Sequence, residues 1–291
     1  MTYAWYPGCS LRGTGRAYEE SLLAVFKALG VEVAELKDWN CCGSTTYLSV
    51  DELTSYALVA RNLALAGREH RDIVAPCAAC YMVLNKTQHY VDDYPDVRLA
   101  VNRAMEAIGL VYDDRVKVRH PLDVLLNDVG VKAIKEKVTK PLKGLKVAPY
   151  YGCQIVRPYA TFDDQANPVA MDRLLEACGA KVVHYPLKTT CCGGSQKGAL
   201  PEVGLDLIHY LITEAKRQGA DVMATVCPLC QFNVEAFQQD AASSRPTVSM
   251  PVLYFSQLMG LALGCSAGDI GLRRCLVSVE PLLAEKEIAY A

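Results

Sequence analysis

Ile73-Val74-Ala75-Pro76-Cys77-Ala78-Ala79-Cys80 is an apolar, β-prone run that closes on a CxxC, and it recurs as Met223-Ala224-Thr225-Val226-Cys227-Pro228-Leu229-Cys230. Upstream of each stands an adjacent pair, Cys41-Cys42-Gly43 and Cys191-Cys192-Gly193-Gly194, and the step from Cys42 to Cys77 equals the step from Cys192 to Cys227. Further upstream lies a single cysteine, in Tyr6-Pro7-Gly8-Cys9 and again in Tyr150-Tyr151-Gly152-Cys153. A five-cysteine pattern therefore occurs twice, and self-similarity of this kind marks a duplicated unit.

Outward from the cysteines, each copy reads strand, cysteine loop, helix, strand, double-cysteine loop, helix, strand, CxxC, helix. Tyr18, Leu22, Phe26 and Leu29 share one helical face, and Gly30 stops that helix before the strand Val31-Glu32-Val33-Ala34. In the second copy Asn167-Pro168 reads as N-cap and first helical residue. Met171, Leu174, Leu175 and Cys178 form the buried stripe there, and Gly179 ends it before Lys181-Val182-Val183-His184. Strands alternating with helices predict an α/β fold with small, mostly parallel sheets flanked by helices. Lys143-Gly144-Leu145-Lys146 reads as the boundary, giving domains 1–142 and 143–291, with a basic and less patterned segment from about Arg115 to Lys143 leading into it. His120-Pro121-Leu122 is echoed by Met250-Pro251-Val252, which predicts a packing role for both.

This order puts every cysteine element in a loop at a strand end or helix start, the edge of such sheets where ligands gather. Helix starts there also offer N–H groups and a positive dipole end, which stabilise thiolates and an anionic cluster.

A length of 291 residues has room for two domains. Hydrophobic residues make up 51% and charged residues 21%, with Lys+Arg 30 against Asp+Glu 32, a balance that excludes a disordered tail and a polybasic surface and so predicts no nucleic-acid partner. No stretch approaches the roughly 20 apolar residues of a membrane span, and Met1 to Tyr6 lacks the pattern of an export signal. The expectation is a cytoplasmic chain whose 13 cysteines stay reduced. The apolar run Pro251 to Gly264 suits a core or interface helix and is the candidate surface for a partner.

Thiolates at this density suit zinc or an iron–sulfur cluster. Structural zinc is satisfied by four ligands, whereas each copy offers five thiols. Two neighbouring cysteines strain around one small ion but reach two irons of one cluster without difficulty, with Gly43 or Gly193 relaxing the backbone beside them. An iron–sulfur cluster is the preferred occupant, and zinc or a redox dithiol in one copy is the alternative.

The candidate ligands are Cys9, Cys41, Cys42, Cys77 and Cys80, and Cys153, Cys191, Cys192, Cys227 and Cys230. Cys178 takes the place of Leu29 and reads as a buried hydrophobe, while Cys265 and Cys275 have no counterpart in the first copy and read as structural thiols. His70, His89, His120, His184 and His209 show no repeat symmetry and are assigned to core or surface. Arg12, Arg16, Arg157, Lys188 and Lys197 lie near the cysteine loops; solvated charge is the first reading and an anionic substrate the second. Gly13-Thr14-Gly15 does not continue to GxGxxG, so neither flavin nor NAD is expected in this chain and electrons must come from a partner protein.

The two copies resemble the tandem cysteine-rich CCG domains of heterodisulfide reductase B subunits, over nearly the whole chain. The resemblance implies two pseudo-twofold-related domains. It also implies two non-cubane [4Fe-4S] clusters, each held by the five cysteines of one copy, all ten of which are present here. It further implies a disulfide or thiol substrate between the clusters, a mixed disulfide such as coenzyme M–coenzyme B in methanogens, cleaved reductively. Electrons would arrive from a ferredoxin-like iron–sulfur C subunit, with a flavin-containing A subunit in the same complex. The second copy departs from the first only in a longer step from Cys153 to its pair and in the extra Gly194. The motif is similar as well to parts of thiol:fumarate reductase, benzoyl-CoA reductase and sulfur-oxidising systems, which leaves a non-catalytic electron relay in a related complex as the alternative function.

Overall fold

The apolar start of the chain forms β1 (Thr2–Trp5), and Arg16–Leu29 forms α1, whose buried face carries Tyr18, Leu22 and Phe26. Gly30 terminates α1 in the left-handed region at φ 74°, a conformation that glycine reaches without steric cost. There follow β2 (Glu32–Glu35), α2 (Glu52–Arg68), β3 (Ile73–Val74), α3 (Ala78–Asp93), α4 (Pro95–Ala107) and β4 (Val118–Arg119). Asp51 caps α2 by accepting from Thr54 N at 3.0 Å. These observations come from a computed structural model that describes residues 2–44, 46–112, 114–242 and 249–290.

The second half repeats the series as β5 (Lys146–Tyr150), α5 (Ala170–Ala177), β6 (Lys181–Val182), α6 (Pro201–Arg217), β7 (Val222–Thr225), α7 (Pro228–Ala236), β8 (Val252–Tyr254) and α8 (Phe255–Leu263). The strand orders are β2-β1-β3-β4 and β6-β5-β7-β8, and every pairing is parallel. In both sheets the chain leaves its first strand to one side and returns on the other. All carboxyl ends then share an edge, with a crevice where the order reverses.

The halves are joined by exchange of helix contacts. α1 of the first half packs on α8 of the second, and α5 of the second packs on Val131–Lys137, the last turns of the helical run that follows β4. Ser21 and Ser256 hydroxyls meet at 2.6 Å in the buried α1–α8 contact, and Arg274 grips Glu20 with two bonds of 2.8 Å at its rim. One continuous hydrophobic core runs through both halves, and a smaller one lies under α2, α3 and α4.

Several expectations are corrected. The segment from about Arg115 to Lys143 is not weakly structured. It supplies β4 and a helical run from Pro121 to Lys137, π-helical over Val124–Gly130, that buries Leu122, Val124, Leu125 and Ile134. Helix α5 begins at Ala170 rather than at Pro168, because the Asp163 carboxylate accepts from Val169 N and Ala170 N while Tyr151 Oη accepts from Met171 N. The free N–H groups of the first turn are thereby satisfied from outside the helix. The Pro251–Gly264 run is interior, with α8 buried against α1, so it offers no surface to a partner. The echo between His120 and Met250 also fails. Val74 pairs with Arg119 and Ala224 with Leu253, which makes Tyr254 the counterpart of His120.

Candidate metal centres

Because the sheets are parallel, the loops after β1, β2 and β3 emerge together, and they carry Cys9, Cys41–Cys42 and Cys77. Cys77 is the residue before α3 and Cys80 lies in its first turn. In the second half Cys153, Cys191–Cys192, Cys227 and Cys230 take the same places around β5, β6, β7 and α7. Cys42, Cys77, Cys80, Cys192, Cys227 and Cys230 are buried, Cys153 and Cys191 are partly buried, and Cys9 and Cys41 are exposed. Each copy therefore has a sheltered trio of thiols with two more at the rim, and the rim members are the same two positions in both.

In the first copy Cys42 Sγ is 3.2 Å from Cys80 Sγ and Cys41 Sγ is 3.9 Å from Cys9 Sγ. Backbone N–H groups point at the pair in the second copy, Gly193 N to Cys191 Sγ at 3.3 Å and Gly194 N to Cys192 Sγ at 3.4 Å. Gly8 and Gly152 sit over the thiols: a Cβ there would lie 2.9 Å from Cys80 Sγ and 3.1 Å from Cys230 Sγ, and both residues have positive φ. The expected conformational freedom after the pair is present too, with φ +68° at Gly43 and +78° at Gly193.

Crowded thiols share protons. In the first copy, donation from Cys41 and then Cys80 pulls Cys42 down to about 4, and Cys80 also lowers Cys77, while the donors Cys41 and Cys80 are pushed up. In the second copy, Cys153 and then Cys192 donate to Cys191, pulling it down to about 2. What the two copies share is a thiolate held by neighbouring S–H groups, ready to bind a soft cation.

Two tyrosines missed by the sequence reading hold the double-cysteine loops. Tyr6 Oη donates to Asn40 O at 2.8 Å and Tyr150 Oη to Thr190 O at 2.7 Å, each the carbonyl just before the pair. The signal was the tyrosine repeated three residues before Cys9 and Cys153. Asn233 adds a bond to Cys192 O at 2.8 Å.

Three of the five candidate cations are committed to carboxylates: Arg12 to Glu19 and Glu35, Arg16 to Glu20, and buried Lys188 to Asp172. Arg157 bonds Thr189 Oγ1 at 2.8 Å, and Lys197 Nζ lies 4.0 Å from the centre of the Phe237 ring. His120 is fully buried. Its Nδ1 accepts from Leu122 N at 3.1 Å, which leaves Nε2–H to donate to Pro76 O at 3.1 Å, so it braces the loop before Cys77. Cys178 is buried, and burial pushes its thiol up to about 12, in keeping with a hydrophobic role.

Among the described residues no group of three or more His, Cys, Asp or Glu side chains is disposed to hold a single metal ion. In the first copy the thiols approach in pairs instead, Cys42 with Cys80 and Cys41 with Cys9. An all-sulfur set of five, two of them adjacent, fits a thiolate-held iron–sulfur cluster better than tetrahedral zinc.

The cysteine-rich domain model (CCG) matches residues 3–85 and 147–235. The chain is 31% identical to the 8-methylmenaquinol:fumarate reductase membrane anchor subunit of Wolinella succinogenes, over 96% of this chain and 98% of that protein. It is 30% identical to the B subunit of the ferredoxin:CoB-CoM heterodisulfide reductase of Methanosarcina mazei, over 96% of this chain and 94% of that one. A protein of Archaeoglobus profundus described as like the B subunit of heterodisulfide reductase is 31% identical over 91% of each chain. In fold, the chain is similar to the crystal structure of a hypothetical protein from Helicobacter pylori, at TM-score 0.76 and 15% identity, covering 96% of this chain and 52% of that one. No helix among the described residues is long and apolar enough to cross a membrane. Two cysteine-rich domains on duplicated parallel sheets, with this similarity across the chain, make it a member of the CCG family, among the proteins that are like the B subunit of heterodisulfide reductase.

Proposed function

We propose that this chain is the catalytic iron–sulfur subunit of a heterodisulfide reductase-type complex, with Cys9, Cys41, Cys42, Cys77 and Cys80 holding one cluster and Cys153, Cys191, Cys192, Cys227 and Cys230 the other. The reaction is RS–SR′ + 2e⁻ + 2H⁺ → RSH + R′SH. Electrons come from a ferredoxin-like iron–sulfur partner, itself served by a flavin-containing subunit. The observation that carries this reading is the pair of complete five-thiol sites in one chain, each with a sheltered trio and an open rim. When bound, iron–sulfur clusters supply one-electron transfer, so two of them match a two-electron cleavage.

The chain's own residues set the geometry. Tyr6 and Tyr150 fix the double-cysteine loops, Gly8 and Gly152 keep side chains out of the space between loops, and the rim positions Cys9, Cys41, Cys153 and Cys191 mark where a substrate sulfur can approach. The test is turnover of a mixed disulfide by anaerobically purified protein with an artificial one-electron reductant. Thiol release in step with electrons consumed supports the assignment. A protein that holds iron, is reduced, and releases no thiol is an electron relay. The similarity to a fumarate reductase subunit over nearly all of both chains favours that second reading.

A further inference from the structure

The two duplicated sites are walled differently. Tyr254 is the counterpart of His120, and Gln231 of Tyr81, each of the latter two standing one residue past its CxxC. Both walls are covered by a ring from the opposite half. Phe162 lies parallel to His120, centroids 6.1 Å apart at 3°, and edge-on to Tyr81. Tyr18 stacks on Tyr254 at 4.3 Å and 4°. The first wall has used its polar groups: His120 bonds Leu122 N and Pro76 O, Tyr81 pairs with Thr161, and Phe162 has none to offer.

The second wall differs at one atom. Tyr254 Oη donates to Gln231 Oε1 at 3.5 Å, and Gln231 Nε2 donates to Glu235 Oε2 at 2.6 Å. The Tyr18 hydroxyl, on a side chain at 0% exposure, has no partner. A buried hydroxyl in that state calls for a functional explanation. Its position supplies one. Tyr254 ends β8 beside Thr225, two residues before Cys227, and the loop before α1 touches the start of α7, where a Cβ on Gly15 would be 3.0 Å from Pro228 Cβ. Burial first, then the neighbouring Tyr254, Cys227 and Cys77, raise the pKa of the Tyr18 hydroxyl well above its ordinary value, so it is a donor.

We propose that the Tyr18 hydroxyl donates a hydrogen bond to an anionic sulfur at the second cysteine site and so makes the two duplicated sites unequal. The proposal rests on the iron–sulfur reading above. The sulfur belongs either to the resident cluster or to the thiolate half of a bound substrate, and the same hydroxyl serves both chemistries. A bond to cluster sulfur stabilises the reduced, more negative state and raises the potential of that centre. Over the His120–Tyr81 wall of the first site the covering ring is Phe162, which carries no hydroxyl.

Tyr18→Phe removes only the oxygen and keeps the ring stack. Iron and sulfide content are measured first, then the potential of each centre by electron paramagnetic resonance, then the thiol concentration that elicits a thiol-dependent signal. With a resident-sulfur bond, one centre becomes about tenfold harder to reduce, a fall of about 59 mV for one electron, and the other stays. The shift persists in a Cys41→Ser, Cys42→Ser background and vanishes in Cys191→Ser, Cys192→Ser. With a substrate-sulfur bond, the thiol-free potentials stay and the thiol concentration required rises about tenfold. Unmoved potentials together with an unmoved thiol titration overturn the proposal, as does loss of iron from Tyr18→Phe. Wild-type protein that holds no iron overturns the cluster reading itself and this inference with it.

Discussion

Replacing Gly8 by alanine tests whether the space between the three loops is ligand space. A Cβ at Gly8 would stand 2.9 Å from Cys80 Sγ, so the sulfur or the loop must retreat by roughly half an ångström to reach an ordinary contact of about 3.5 Å. Metal ligands tolerate only about 0.2 Å. Gly8 also has φ +62°, where an alanine costs roughly 1–2 kcal/mol. Gly30 is the control, since it has φ +74° with nothing within 4 Å of its Cβ position, and bears the backbone cost alone. At about 2–4 °C per kcal/mol for a chain of this size or somewhat smaller, Gly30→Ala should lower Tm by about 2–8 °C and keep all its iron. Gly8→Ala should lose about half of the iron, from the first site only. If Gly8→Ala retains full iron while Gly30→Ala shows the expected Tm loss, the loops do not enclose a ligand where we place it.

Tyr150→Phe, which deletes the bond to Thr190 O, should cost about 1–2 kcal/mol and speed loss of iron to a chelator; an unchanged rate would show that the tyrosine does not hold the Cys191–Cys192 loop. Cys178→Ala should leave iron and the resonance signal intact while lowering Tm slightly, and lost iron would make Cys178 a ligand. Acid lability should follow from His120, whose pKa burial lowers from 6.5 to about 3. The unfolded chain takes up a proton that the folded chain refuses, so the contribution to stability is complete above pH 6.5 and falls by about 1.4 kcal/mol per unit as pH drops through the window down to 3. Urea unfolding of metal-free, reduced protein at pH 7 and pH 5 should then differ by roughly 2 kcal/mol from this group, and His120→Gln should flatten that difference; equal slopes in the two proteins would refute it.

The duplicated sheets and the thiol sets were legible because they rest on spacing. The equal steps to Cys77 and Cys227, and glycines at helix ends such as Gly30, are properties of the chain alone. Features made by distant contacts were not legible. β4 is two residues long and is defined by pairing with β3. The start of α5 is set by Asp163 and Tyr151 from outside the helix. The longer step after Cys153 carries Phe162 and Thr161 across to the first half, where they meet Tyr81. Cations that looked available, Lys188 above all, are neutralised by carboxylates that the fold brings to them. An apolar stripe such as Phe255–Leu263 reads the same whether it faces a partner or, as here, α1 of its own chain.

Whether the chain holds two thiolate-held clusters is decided by the metal and acid-labile sulfide per chain on anaerobically purified protein. About eight irons with matching sulfide, as two four-iron clusters require, and little zinc are expected. One or two zinc ions per chain with no sulfide would contradict the two-cluster assignment.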